Sequence, residues 1–233
     1  MFYGPFFDPT MIILIPGILL AMYAQYKVSS TFDYFARVAS ACGMTGAQVA
    51  REILRQQGLD HVEVEMTEGH LSDHYDPRTK VVRLSPQVYR GTSLAALGVA
   101  AHETGHAIQH DVGYLPLNIR HSLLPVASFG SNLALPLFIL GLILASPTLV
   151  KFGVYLFSAV VLFQLITLPV EFNASSRALA VLEGRGFISR GEVPGTKAVL
   201  DAAALTYVAA ALVAVLNLVR LLLLSGLLGR RDE

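Results

Sequence analysis

The sequence predicts a mostly α-helical α+β protein that crosses a membrane about four times and carries a small water-facing domain with a short β-sheet. Three observations lead there. The 233-residue chain is 54% hydrophobic and only 15% charged, with a mean hydropathy of +0.56, too apolar for an ordinary soluble domain. Its apolar residues gather in four runs that approach or exceed the roughly 18 residues needed to cross a bilayer. Between the first two runs lies one stretch of normal composition, in which helical and strand periodicities alternate.

The runs cover residues 10–24, 123–145, 149–170 and 202–228. The first is short and contains Pro16 and Gly17, but Tyr23, Tyr26 and Lys27 close it in the aromatic-plus-cation manner of a membrane interface. The opening "MFYGPFFDPT" carries Asp8 and no Lys or Arg, so an uncleaved membrane helix is expected in place of a signal peptide. The chain then divides into an N-terminal transmembrane helix (1–27), a water-facing domain (28–121), a transmembrane helical hairpin (122–170), a helical region (171–201) and a C-terminal transmembrane helix with its tail (202–233). Two antiparallel crossings joined at "SPT" return the chain to the side it left. With four crossings, most Lys and Arg fall on the side of residues 28–121 and 171–201, while Lys151, Arg230 and Arg231 lie opposite and Arg220 lies within the last run. The positive-inside rule then makes this a multi-pass protein of the cell membrane with its water-facing domain in the cytoplasm.

In that domain, "MTGAQVAREILRQQGL" reads as an amphipathic helix capped by Thr45, with Ala50, Ile53, Leu54 and Gln57 on one face and Gly58 as its stop. "HVEVEM" alternates as a strand, Val62 and Val64 against Glu63 and Glu65. In "LSDHYDPRTKVVRLS" the Asp76-Pro77 pair supplies a turn between an extended "LSDHY" and a strand "KVVRL". Thr92 or Ser93 can cap the next helix and Gly113 can end it. Cys42, the single cysteine, has no internal disulfide partner.

That next helix contains "AAHETGHAIQH", residues 100–110. HExxH sets two imidazoles on one helix face, four residues apart, where both reach a single zinc ion, with a glutamate between them aimed at the zinc-bound water. His102 and His106 are therefore expected to bind Zn2+ and Glu103 to be the catalytic general base, a pattern that points to hydrolysis of peptide bonds. His110 lies one turn further and is read as a solvated histidine near the helix end. A catalytic zinc usually takes three protein ligands, and no histidine stands six residues after the motif, where Val112 is found. A carboxylate is the remaining choice. Glu171 in "LPVEFNASSRAL" follows the third apolar run, where an unpaired charge is costly unless water or a cation meets it. The plainer alternative is an interfacial glutamate paired with Arg177, and Asp201 and Glu183 are the next carboxylates in line.

"DHYDP", "GVAAHETGHAIQH" and "EFNASSRAL" together resemble the YugP-type neutral zinc metallopeptidases of bacterial membranes, and the similarity runs over essentially the whole chain. More distantly the layout resembles the HtpX-type and CAAX prenyl membrane proteases, gluzincins in which HExxH is completed by an E-x-x-A-D segment. The resemblance implies a zincin-like catalytic domain, with Glu171 in the ligand position and Ala174 at the alanine. Ser175 stands where those relatives have Asp, so that residue's supporting role does not carry over.

These observations predict a membrane-embedded zinc-dependent metalloendopeptidase acting on peptides or proteins at or near the bilayer. The alternatives are a zinc-binding membrane scaffold without turnover and, less well supported, a carrier, because the apolar runs hold few polar residues beyond Asn132, Gln164, Asn217 and Arg220. Zero formal net charge and the lack of a basic stripe give no reason to expect nucleic acid as a partner. In zinc proteases of this general shape an edge strand can receive the substrate backbone, and residues 71–75 are expected to form it. His74 or Tyr75 could also help to polarise the scissile carbonyl, although turn and strand packing explains them equally well.

Overall fold

A computed structural model describes residues 9–226. Asp8, Arg230, Arg231 and the end of the last apolar run lie outside the described residues. The chain forms two compact units, one of Met1–Tyr23, Ile119–Leu168 and Tyr207–Glu233, the other of Ala24–Asn118 and Pro169–Thr206.

A 3-10 turn, Pro9–Leu14, leads into α1 (Ile15–Phe35), followed by α2 (Gly46–Gln56), β1 (Glu63–Met66), β2 (His74–Asp76), β3 (Val81–Leu84), α3 (Pro86–Arg90) and α4 (Leu94–Asp111). Three long helices complete the described chain: α5 (Leu115–Ile143), α6 (Pro147–Gly184) and α7 (Val193–Leu224). The fold is thus mainly helical with a small three-stranded sheet, and among the described residues four helical segments, Pro9–Phe35, α5, α6 and α7, are long and apolar enough to cross a membrane. Each extends beyond the apolar stretch that announces it at one end at least, α1 and α6 past its end, α5 and α7 ahead of its start. Hydropathy marks where lipid could end, whereas a helix stops only at a backbone signal. No such signal follows Val170, so α6 continues through Glu171 until Gly186 takes a φ of +75°.

In the first unit, α5 and α6 approach backbone to backbone. A Cβ on Gly153 would stand 2.8 Å from the Ala134 carbonyl oxygen and 2.9 Å from the Phe138 nitrogen, the close contact that small residues permit between apolar helices. Phe138, Val150, Val154 and Leu221 pack together beside this contact.

In the second unit, α2 is held by a full capping box, in which Thr45 Oγ1 accepts from the Gln48 amide and Gln48 Oε1 accepts from the Thr45 amide. Its buried face is Val49, Ala50, Ile53 and Leu54, packed with Leu84, Val88, Leu97 and Leu182. Gln57 is exposed at the C-cap and does not join that face, because the helix has already turned toward Gly58 at a φ of +72°. β3 is the central strand, parallel to β1 and antiparallel to β2. Val62 and Val64 point inward while Glu63 and Glu65 face out. β2 is shorter than the extended segment expected, since Leu71 has a φ of +54° and only His74–Asp76 pairs with β3. The short α3 was not anticipated.

Asp76 organises the hairpin turn. Its carboxylate accepts from Thr79 Oγ1 at 2.8 Å, the Arg78 amide at 2.9 Å and an Arg83 Nη1 at 3.0 Å. The Thr79 bond, with those of Arg78 and Arg83, holds this half-buried carboxyl well below the usual aspartate range. A depressed folded-state pKa stabilises above the unfolded value of about 3.9 and is lost as pH falls through the lower folded one. Asp76→Asn is therefore expected to lower the melting temperature at neutral pH and to narrow the gap to wild type on acidification. Thermal melts at neutral and acidic pH check this, and a gap that widens in acid would be the wrong sign.

Candidate metal centre

Helix α4 begins at Ser93, whose Oγ accepts from the Ala96 amide at 3.2 Å. Its alanine-rich first turns are buried, and the face that follows carries His102 and His106 with ring centroids 4.7 Å apart, edge to face. Glu171, on α6 and only 2% exposed, comes to the same point. Its Oε2 lies 3.2 Å from His102 Nε2 and 3.5 Å from His106 Nε2. The three ligand atoms lie within 4.8 Å of one another, and among the described residues this is the one His/Cys/Asp/Glu cluster able to hold a metal.

The donor set fits zinc. Ligand atoms about 2.0–2.1 Å from a tetrahedral ion stand about 3.3–3.4 Å from each other, close to both carboxylate–imidazole separations. Both imidazoles are 12% exposed at the side chain, so a ligand can enter while the protein supplies most of the surroundings. Electrostatics favour a cation: burial alone would lower His106, but the hydrogen bond with Glu171, aided by the Glu103 and Glu171 charges, holds it above its ordinary value. Glu103, one residue beyond His102 and 8% exposed, makes no hydrogen bond to a described residue. Its carboxylate is therefore uncommitted. Burial, opposed by the Ser85 amide and abetted by the Glu103 charge, raises the Asp73 carboxyl above its usual range. Asp73 accepts from the Ser85 amide at 2.7 Å and from Ser85 Oγ at 3.0 Å, tying the segment before β2 to the start of α3.

Both imidazoles are oriented from behind. Ser175 Oγ lies 3.1 Å from His102 Nδ1, and Gln109 Oε1 lies 3.0 Å from His106 Nδ1. Neither residue emerged as functional from the sequence. The signal was helical spacing: Ser175 stands four residues after Glu171, and Gln109 three after His106, so each shares a face with a ligand. Ser175, which stands where the more distant relatives have Asp, thus contacts His102 through a hydroxyl. Arg177, weighed above as a partner of Glu171, donates instead to Asn173 Oδ1 at 2.8 Å. His110 is not a free solvated side chain, because its Nδ1 meets the Tyr75 hydroxyl at 2.9 Å. His74 Nδ1 binds the Ser72 carbonyl at 2.8 Å and lies exposed. Asp201 pairs with Lys197, Glu183 is exposed, and neither belongs to the cluster.

Gly105, inside the HExxH motif, lets α6 come close enough for Glu171 and Ser175 to reach. A Cβ there would stand 2.9 Å from the Ala174 carbonyl oxygen and 3.3 Å from its Cα, and Ala174 is itself fully buried. Both atoms are backbone, so α6 rather than a side chain must yield. Gly105→Ala is expected to cost about 1–3 kcal/mol by overpacking and to weaken metal binding, because the shift falls between the ligands. Melting temperature and zinc per chain report it; a variant matching wild type in both would show that the helices have slack.

The chain is 51% identical over 214 residues to a protein of Bacillus subtilis (strain 168) described as "Putative membrane protease YugP", the alignment covering 92% of this chain and 94% of that one. No solved structure matches it. With that relative, and with a family model matching from residue 10 to residue 226, this chain belongs to the family described as "Putative neutral zinc metallopeptidase".

Proposed function

We propose that the protein is a membrane-embedded, zinc-dependent metalloendopeptidase in which His102, His106 and Glu171 hold the ion and Glu103 is the general base. One observation carries this reading: a buried carboxylate lies 3.2 and 3.5 Å from the Nε2 atoms of both motif histidines. When bound, zinc supplies a Lewis acid and a water molecule acidified toward neutral pH. Glu103, free of other hydrogen bonds, takes the proton released as the peptide carbonyl is attacked and returns it to the leaving amine. The edge strand β2 offers main-chain groups to an extended peptide, which favours recognition of backbone over particular side chains.

Substrates on this reading are peptides or proteins at or near the bilayer, consistent with the four apolar helices and with a relative described as a membrane protease. The charge distribution favours a cytoplasmic site. Cys42, half-buried in the second unit, is expected to resist an impermeant thiol reagent in intact cells and to react after permeabilisation. Labelling before permeabilisation would reverse the orientation.

Purified protein in detergent is expected to hold about one zinc per chain and to cleave an unfolded protein such as casein in a chelator-sensitive manner. His102→Ala and His106→Ala should lose both metal and activity. Stoichiometric zinc with no cleavage of any peptide would support the scaffold instead, and metal flux in liposomes that survives loss of Glu103 would support a carrier.

A further inference from the structure

The hydrogen bonds behind His106 have a direction, and one residue dictates it. Arg177 Nε donates to Asn173 Oδ1 at 2.8 Å, and a guanidinium has no acceptor. The Asn173 atom at that point is therefore oxygen. The same atom receives Gln109 Nε2 at 3.0 Å, and the second Nε2 proton goes to the Val170 carbonyl at 2.8 Å. Two acceptors thus demand the amino end of the Gln109 amide, so its oxygen must face His106 Nδ1, 3.0 Å away. An amide oxygen accepts only, which places a proton on His106 Nδ1 and, in the neutral imidazole, leaves Nε2 with a lone pair.

We propose that Arg177, Asn173 and Gln109 are positioning residues forming a directional relay that fixes the His106 tautomer for metal binding. The proposal rests on the metal-centre reading above. Gln109 is fully buried, with both amide protons and its oxygen engaged, so it cannot turn over without stranding a donor or an acceptor. Val170 is the neighbour of Glu171, so a single side chain fixes the imidazole and anchors the backbone beside the third ligand. The consequence is chemical. With Nδ1 protonated, the Nε2 lone pair faces the Glu171 carboxylate at 3.5 Å, acceptor against acceptor, an arrangement satisfied by a cation between them. His102 differs, because the Ser175 hydroxyl behind it can rotate to donate or accept. The relay sets one histidine in advance and leaves the other to be set by the ion.

The test uses full-length protein in detergent with nitrogen-15-labelled histidine. Long-range nitrogen–proton NMR of the metal-free protein at alkaline pH, with the His106 signal assigned by its loss in His106→Gln, is expected to show the Nδ1–H form. The Nε2–H form in wild type overturns the proposal. Zinc affinity by chelator competition is expected to fall about 10–100-fold in Gln109→Met, the range for losing a neighbour that orients a ligand, and to stay within about threefold of wild type in Asn173→Asp, which keeps the acceptor for both donors. Wild-type affinity in Gln109→Met, or an Asn173→Asp loss as large as that of Gln109→Met, also overturns it. The tautomer is read on wild type and needs no metal; the His106→Gln variant serves only to assign the signal. Wild type that binds no zinc overturns the metal centre itself, whereas wild type that binds zinc with His106 in the other tautomer overturns the relay alone.

Discussion

Glu103→Gln is expected to lower peptide hydrolysis by at least about 10²–10⁴-fold, the usual worth of a positioned general base, with zinc per chain unchanged. The two effects separate because Glu103 lies outside the ligand cluster while His102, His106 and Glu171 form it. Glutamine has nearly the same volume and cannot take up a proton, so the change removes chemistry without opening the packing around a residue that is 8% exposed. Zinc analysis and casein cleavage on the same preparation decide it. Near-native turnover in the variant would remove Glu103 from the mechanism, and loss of zinc would mean that the residue also binds the ion.

Glu171→Ala should have the second large effect, and on metal before activity. The carboxylate joins α6 to the two imidazoles of α4, and its loss leaves two ligands where a catalytic zinc normally has three. Zinc affinity is expected to fall by more than the roughly 10–100-fold that follows loss of an orienting neighbour. Activity should fall in parallel and recover in part at high zinc concentration. Glu171→Gln preserves volume and separates a packing defect from loss of the ligand: both variants should lose metal, whereas only alanine opens a cavity beside the fully buried Val170 and Ala174. A Glu171→Ala protein that is folded, zinc-loaded and active would return attention to Asp201 and Glu183, although Asp201 is already paired with Lys197 at the surface.

Two histidines and a glutamate within five residues were legible in the sequence because HExxH is local: one helix turn fixes their relation, and no distant residue is needed to state it. The same holds for the Thr45 capping box, the alternating Val62 and Val64, and the turn at Asp76-Pro77, each encoded by neighbours within four positions. Glu171 was legible for a different reason. An acid at the edge of an apolar run requires a partner, and the sequence states that need without naming who meets it. Hydropathy also found the four long helices, but missed their ends, since α6 carries Glu171, Asn173, Ser175 and Arg177 on unbroken helix beyond the apolar stretch.

What the sequence by itself determined was the set of groups available: two histidines spaced to share a metal, a glutamate beside them, a second carboxylate in need of a cation, and helices suited to a bilayer. Only the tertiary structure decided which atoms meet. Gly105 against Ala174 sets the distance between α4 and α6, and that distance brings Ser175 to His102 and Gln109 to Val170 and Asn173. Serine and glutamine are common on helices and carry no signature of their own, so their roles arise from contacts between residues more than 60 positions apart. A hydrogen bond depends on direction and on a few tenths of an ångström, and neither is specified until two distant helices have packed.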